Sequence, residues 1–180
     1  MIELEKEKII SEVKKLIRDV PDFPKPGIIF KDIMPFLSDN RTFKNTIKYL
    51  ASRYKDKNIS KVIGIEARGF IIAAPLALEI GAGFVPVRKK GKLPYKTISV
   101  TYDLEYGTDT LQIHEDAVKK GENVIIVDDV LATGGTAKAV CELTNKLGGN
   151  VSEILMLIEL EFLKGREKLK DYELFSLIKY

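Results

Sequence analysis

The sequence predicts an α/β fold with a mainly parallel central sheet flanked by helices. Three observations carry that prediction. Val124, Ile125, Ile126 and Val127 are consecutive β-branched residues, the pattern of a strand buried on both faces. From Lys61 onward, short apolar strands alternate with segments of helical periodicity. Gly148 and Gly149 stop the helix predicted over 136–147, as glycine does at helix ends.

The remaining elements follow in chain order. Ile9, Ile10, Val13, Leu16 and Ile17 recur at helical spacing, so an amphipathic helix is predicted over 4–18. Pro21, Pro24, Pro26 and Gly27 then predict a shaped loop without regular structure through Asp32. Helices are expected over 42–54 and 69–80, and short strands over 61–65 and 83–87. Residues 97–112 read as two strands joined by a turn near Gly107, the central strand spans 123–127, and another covers 151–160. No internal repeat or long linker interrupts the chain, so residues 1–180 are expected to form a single domain.

Composition narrows the function classes. Of 180 residues, 45% are hydrophobic and 31% charged, as in ordinary soluble globular proteins. No run of 18 apolar residues exists and the N-terminal segment lacks a secretory pattern, so no membrane span and a cytoplasmic location are expected. Cys141 is the one cysteine, which excludes an intramolecular disulfide. His114 is the one histidine, and a zinc site is not expected. A net charge of +3 is too mild to point to nucleic acid, and none is expected as a partner.

The segment 124–137, VIIVDDVLATGGTA, carries the most chemistry. A buried strand runs into Asp128 and Asp129, then a small-residue loop, then a helix. Ligands of open α/β sheets sit at the carboxyl ends of strands. In Ala132, Thr133, Gly134, Gly135 and Thr136, the glycines let backbone approach a ligand, and the helix start offers unpaired N–H groups. A phosphate monoester suits such a loop. Neither GxxxxGK[ST] nor GxGxxG is present, so a triphosphatase or dinucleotide-binding reading has no support. Two adjacent carboxylates repel one another. Vicinal hydroxyls of a sugar, with a divalent cation nearby, would satisfy both. Taken alone, the two aspartates fit a solvated strand end equally well.

The whole string resembles the signature of type I phosphoribosyltransferases. That resemblance implies their fold, with a flexible hood loop at about 88–117. It implies that Asp128 and Asp129 hold the ribose hydroxyls and that residues 132–136 hold the 5′-phosphate. The donor would be 5-phosphoribosyl 1-pyrophosphate with Mg²⁺ as cofactor. The metal would be held mainly through the substrate, with Asp128 and Asp129 reaching it at most through water.

On the leaving-group side, Arg68 follows a strand end in Glu-Ala-Arg-Gly-Phe, and Arg88, Lys89 and Lys92 follow another. Cations gathered at one rim would stabilise charge developing on pyrophosphate. The resemblance also places a non-proline cis peptide at Ala67–Arg68.

Three further segments resemble the adenine branch of this family: 22–35, 88–117 and 163–169. They imply that adenine is the acceptor and that AMP and pyrophosphate are the products. Ile29 and Phe30 would sandwich the base, and the backbone of Ile29 and Lys31 would read its edge. Lys31 stands where arginine is more usual, and Ile72 with Ala73 where an aromatic-glycine pair is common. In the hood, Glu105 would handle the purine proton and Tyr106 would pack over the site; Glu105 and Arg68 are the expected catalytic residues. A homodimer is also implied. The competing readings are a 6-oxopurine acceptor, a non-catalytic regulator that binds the phosphoribosyl donor, and an inactive paralogue.

Overall fold

The computed structural model describes residues 2–103 and 107–180. The chain divides into two compact units, Met1–Arg53 and Tyr54–Tyr180.

The first unit contains α1 (Ile2–Leu16), β1 (Arg18–Pro21), β2 (Ile29–Asp32), α2 (Met34–Ser38) and α3 (Asn40–Ser52). The helical stripe of α1 buries Ile9 and Val13, as its spacing requires. The Asp39 carboxylate starts α3 by accepting the Thr42 N–H at 2.8 Å. The proline-rich segment is more regular than its composition suggested. Its last four residues form β2, which pairs antiparallel with β1. The strands are joined across their faces by Arg18–Asp32 and Lys31–Asp19 ion pairs, each at 2.7 Å. Pro21 ends β1, and Pro24 and Pro26 lie in the connection. There Phe23–Pro24 is cis, and Gly27, at φ +86°, donates its N–H to the Asp22 carboxylate at 2.7 Å.

The second unit is built on a seven-stranded sheet in the order β5-β6-β4-β3-β7-β8-β9. Its elements are β3 (Lys61–Ile65), α4 (Arg68–Ile80), β4 (Gly83–Lys89), β5 (Thr97–Asp103), β6 (Thr108–His114), β7 (Asn123–Leu131), α5 (Gly135–Lys146), β8 (Asn150–Glu159) and β9 (Leu174–Lys179). The strands β4, β3, β7, β8 and β9 run parallel. The β5–β6 hairpin is antiparallel and joins β4 through the pairs Arg88↔Gln112 and Lys89↔Leu111. The fold class is therefore the predicted one.

The differences from the sequence reading have physical causes. β7 runs on through both aspartates to Leu131, because β8 keeps pairing as far as Leu131↔Glu159. Leu174–Lys179 becomes an edge strand through its ladder with β8. Two short 3₁₀ turns, Glu161–Leu163 and Gly165–Leu169, connect those strands. Val62, Ile63, Ile65 and Val124–Val127 are all buried, since helices and neighbouring strands cover both faces of the sheet centre.

Gly64 shows how closely α4 lies on this sheet. A Cβ there would stand 2.8 Å from Phe84 Cε2, 2.9 Å from Ala73 Cβ and 3.1 Å from Phe70 Cδ1. The Gly64→Ala variant is therefore expected to lose about 1–3 kcal/mol of stability from overpacking, read by chemical denaturation.

Candidate active site

The topology points to one crevice. The chain leaves β3 through α4 and returns as β4 on one side; it leaves β7 through α5 and returns as β8 on the other. The sheet order thus reverses between β3 and β7. The carboxyl ends of strands at such a switch point form the usual ligand crevice of an open α/β sheet. Residues 66–68 follow the end of β3, while 88–92 and 128–136 span the ends of β4 and β7 at that edge.

Asp128 and Asp129 lie against the first turn of α4. Asp129 Oδ2 is 2.5 Å from Arg68 Nε, and Asp129 is almost wholly buried. Asp128 Oδ1 accepts the Asp129 N–H at 2.9 Å. It also stands 2.9 Å from where a Cβ on Gly69 would be, so only glycine lets the helix come this close. Burial, and after it the Asp129 carboxylate, pushes the Asp128 carboxyl well above the usual carboxylate range; Arg68 pulls the other way. The arginine expected on the pyrophosphate is thus, in this structure, the counter-ion of the acidic pair.

The predicted phosphate loop connects β7 to α5. Asp128, Ala132, Thr133, Gly134, Thr136 and Met156 are among the residues lining a cavity of about 70 Å³ here. Gly134 caps α5 at φ +80°, and Gly135 opens the helix. No side chain caps this helix start, which leaves first-turn N–H groups for an anion. The loop is braced from behind by Gly165. A Cβ on Gly165 would overlap the Ala132 carbonyl, and one on Gly134 would overlap the Gly165 carbonyl. Arg166 holds this brace in place, with Nε 2.9 Å and Nη2 2.6 Å from the Glu159 carboxylate. It also donates to the Leu174 carbonyl at 3.1 Å. In the sequence, segment 163–169 carried only a family likeness; its mechanical role comes from β8 and β9 being neighbours.

The cations at the end of β4 gather around a carboxylate that the sequence reading passed over. Glu66 accepts Arg88 Nε and Nη2, each at 3.3 Å, Lys92 Nζ at 2.5 Å and the Lys89 N–H at 3.0 Å. Burial alone would raise the Glu66 carboxyl. The hydrogen bonds from Lys92, Lys89 and Arg88 outweigh it and bring the group down to about 2. The Lys89 ammonium turns instead to Asp109, at 3.0 Å. Arg88 and Lys92 therefore meet at one point, while Arg68 and the Lys89 side chain pair elsewhere. A carboxylate directly after a buried strand, beside the arginine motif, was the one signal that could have exposed Glu66.

The non-proline cis peptide is Glu66–Ala67, one bond earlier than expected at Ala67–Arg68. The Glu66 N–H still donates to the Val87 carbonyl at 3.0 Å, so the β ladder lasts through that residue. Ala67 already has αR torsions as the N-cap of α4, so the Ala67–Arg68 peptide belongs to the helix start and is trans.

The segment expected to be a hood contains the β5–β6 hairpin. Near its outer end, Tyr102 pairs with Asp109 in the ladder, and its phenol oxygen accepts from Thr136 Oγ1 at 3.2 Å. Glu105 and Tyr106 lie outside the described residues. In the first unit, Ile29 is 57% exposed, which excludes it from the core. Phe30 packs edge-on to Phe23 at 5.2 Å, and the Lys31 ammonium pairs with Asp19.

Comparison with known proteins gives the family. The phosphoribosyl transferase domain family matches residues 37–179. The adenine phosphoribosyltransferase of Kosmotoga olearia is 59% identical over 93% of this chain and 99% of its own. A crystal structure of the Thermoanaerobacter pseudethanolicus adenine phosphoribosyltransferase superposes with a TM-score of 0.92 at 53% identity, covering 95% of this chain and 99% of that one. The Saccharomyces cerevisiae adenine phosphoribosyltransferase, solved with adenine and an imino-altritol bisphosphate, gives a TM-score of 0.90 at 41% identity, covering 95% and 99%. A family match over most of the chain and relatives this similar along their whole length show that the chain belongs to the phosphoribosyltransferase family, in its adenine phosphoribosyltransferase branch.

Proposed function

We propose that this protein transfers the 5-phosphoribosyl group of 5-phosphoribosyl 1-pyrophosphate to adenine, giving AMP and pyrophosphate in purine salvage. The observation that carries the reading is the meeting of phosphate loop, acidic pair and cations at the β3/β7 switch point. The family match runs across residue 53, which supports treating residues 1–180 as one catalytic domain.

In this reading, loop 132–136 takes the 5′-phosphate and Asp128 and Asp129 take the ribose hydroxyls. Arg68, Arg88, Lys89 and Lys92 take pyrophosphate, trading carboxylate partners for phosphate oxygens. Adenine N9 attacks C1′, the C1′–O bond breaks, and pyrophosphate leaves with the electron pair. The cations stabilise the charge that develops there. Glu105 takes the purine proton. Among the described residues, no three His, Cys, Asp or Glu side chains converge as a metal cage. Mg²⁺ would be held chiefly by substrate phosphates and water, with Asp128 and Asp129 as water-mediated partners. Bound there, Mg²⁺ would neutralise charge on the leaving group.

The base is assigned to Ile29, Phe30 and Lys31. The exposed Ile29 side chain and the Phe30 ring supply apolar faces. Pro21, opposite Ile29, has no N–H to give across the ladder, which favours an Ile29 carbonyl that accepts from an exocyclic amine. A 6-oxo base would leave such an acceptor unpaired. We also infer a homodimer and a cytoplasmic location. Ile71 and Leu78, two turns apart on α4, are exposed apolar side chains suited to a second copy. No described helix is long and apolar enough to cross a membrane.

The deciding experiment is pyrophosphate release from the donor with Mg²⁺, offering adenine, hypoxanthine, guanine and xanthine in parallel. Release with adenine alone is expected. Release with a 6-oxopurine would overturn the base assignment, and silence with all four would overturn the activity. Glu105→Gln is expected to slow turnover about 10²- to 10⁴-fold, with donor affinity unchanged; equal turnover would remove Glu105 from proton handling.

The raised Asp128 carboxyl has a consequence for stability. A carboxyl whose folded-state pKa lies above its unfolded value weakens the fold as pH rises from the unfolded toward the folded pKa. Asp128→Asn is therefore expected to melt like the parent below about pH 4 and at increasingly higher temperature than the parent as pH rises toward neutrality, while losing activity. Matching melting curves at neutral pH would refute the burial argument.

A further inference from the structure

Tyr102 has no role in the reading above, yet its hydroxyl reaches the phosphate loop. It lies on β5, and its ring packs on the main hydrophobic core, where it is half-buried. Its phenol oxygen is 3.2 Å from Thr136 Oγ1, the hydroxyl in the first turn of α5 that lines the 70 Å³ cavity. Two hydroxyls hold two protons, and one hydrogen bond between them uses only one. Whichever group donates, one proton is left over. Neither hydroxyl has another hydrogen-bond partner among the described residues. Both residues are only partly buried, so that proton is free for solvent or for an anion seated on the loop.

We propose that Tyr102 is a further binding residue for the 5′-phosphate, its hydroxyl acting with Thr136 as a paired donor carried on the hood strand. This rests on the assignment of residues 132–136 to the 5′-phosphate. The phenol is well suited to the task. Burial raises its pKa, so it stays protonated and can donate. Its ring is fixed by the core, so little side-chain freedom is lost when the anion arrives. The strand that carries Tyr102 leads within three residues to Glu105. Phosphate captured by Tyr102 therefore also holds the strand entering the segment assigned to proton transfer, which makes Tyr102 a link between donor binding and the hood.

The test is binding of ribose 5-phosphate and, separately, of pyrophosphate to the parent and to Tyr102→Phe, by calorimetry, with KM for the donor measured alongside. Tyr102→Phe keeps the ring that packs on the core and removes only the hydroxyl. Loss of one hydrogen bond to a charged group is expected to weaken ribose 5-phosphate about tenfold and to raise the donor KM similarly, with pyrophosphate binding unchanged. Equal ribose 5-phosphate binding by both proteins would overturn the proposal and leave the phosphate loop in place. Equal weakening toward both ligands would also overturn it, making Tyr102 a structural clasp. Failure of the parent to bind ribose 5-phosphate would overturn the phosphate-loop assignment and the proposal together.

Discussion

Two adjacent carboxylates on a buried central strand set the terms for the larger unit. Asp128 and Asp129 sit within β7, which pairs with β8 on either side of them, and Asp129 is buried there. Their repulsion demands a cation, and Arg68 at the start of α4 supplies it. That helix must come close enough for its arginine to reach, which requires a residue without a side chain at Gly69. It also requires β3 and β7 to be neighbours, since α4 begins where β3 ends. The strand order, the helix approach and the glycine all answer to the same charge problem.

The rest of the edge follows a second balance of charge. Arg88 and Lys92 converge on Glu66, and Lys89 turns to Asp109, so each cation assigned to the leaving group already has an anionic partner. Such pairing keeps like charges from repelling before substrate arrives and holds their side chains near one another. A polyanion can then exchange with carboxylates at ready-made positions, rather than gather loose lysines from solvent. The loop over 132–136 is held in a different way. Its shape is maintained by backbone packing of Gly134 and Ala132 on Gly165, with the Arg166–Glu159 pair fastening the brace to β8.

The sequence-level reading succeeded where the cause is local and failed where it is not. The β-branched run at 124–127 and the helix stop at Gly148 and Gly149 each act through residues a few positions away. Their meaning survives without knowledge of the fold. Ile29–Asp32 was misread as irregular because its strand character comes from pairing with Arg18–Pro21, while the prolines nearby dominate the local signal. β9 escaped notice because an edge strand is made by its neighbour's ladder as much as by its own side chains. Glu66 was hidden because its partners Arg88 and Lys92 stand 22 and 26 residues away.

By itself, then, the sequence determined the fold class and the family to which the chain belongs, since these are written in contiguous residues. Tertiary structure alone decided which charges neutralise which, that the cis peptide lies at Glu66–Ala67, that Gly165 braces the phosphate loop, and that the Tyr102 and Thr136 hydroxyls meet. Those outcomes depend on the order of strands in the sheet and on where the β ladder ends. Both are set by contacts between distant segments, which no local stretch of residues encodes.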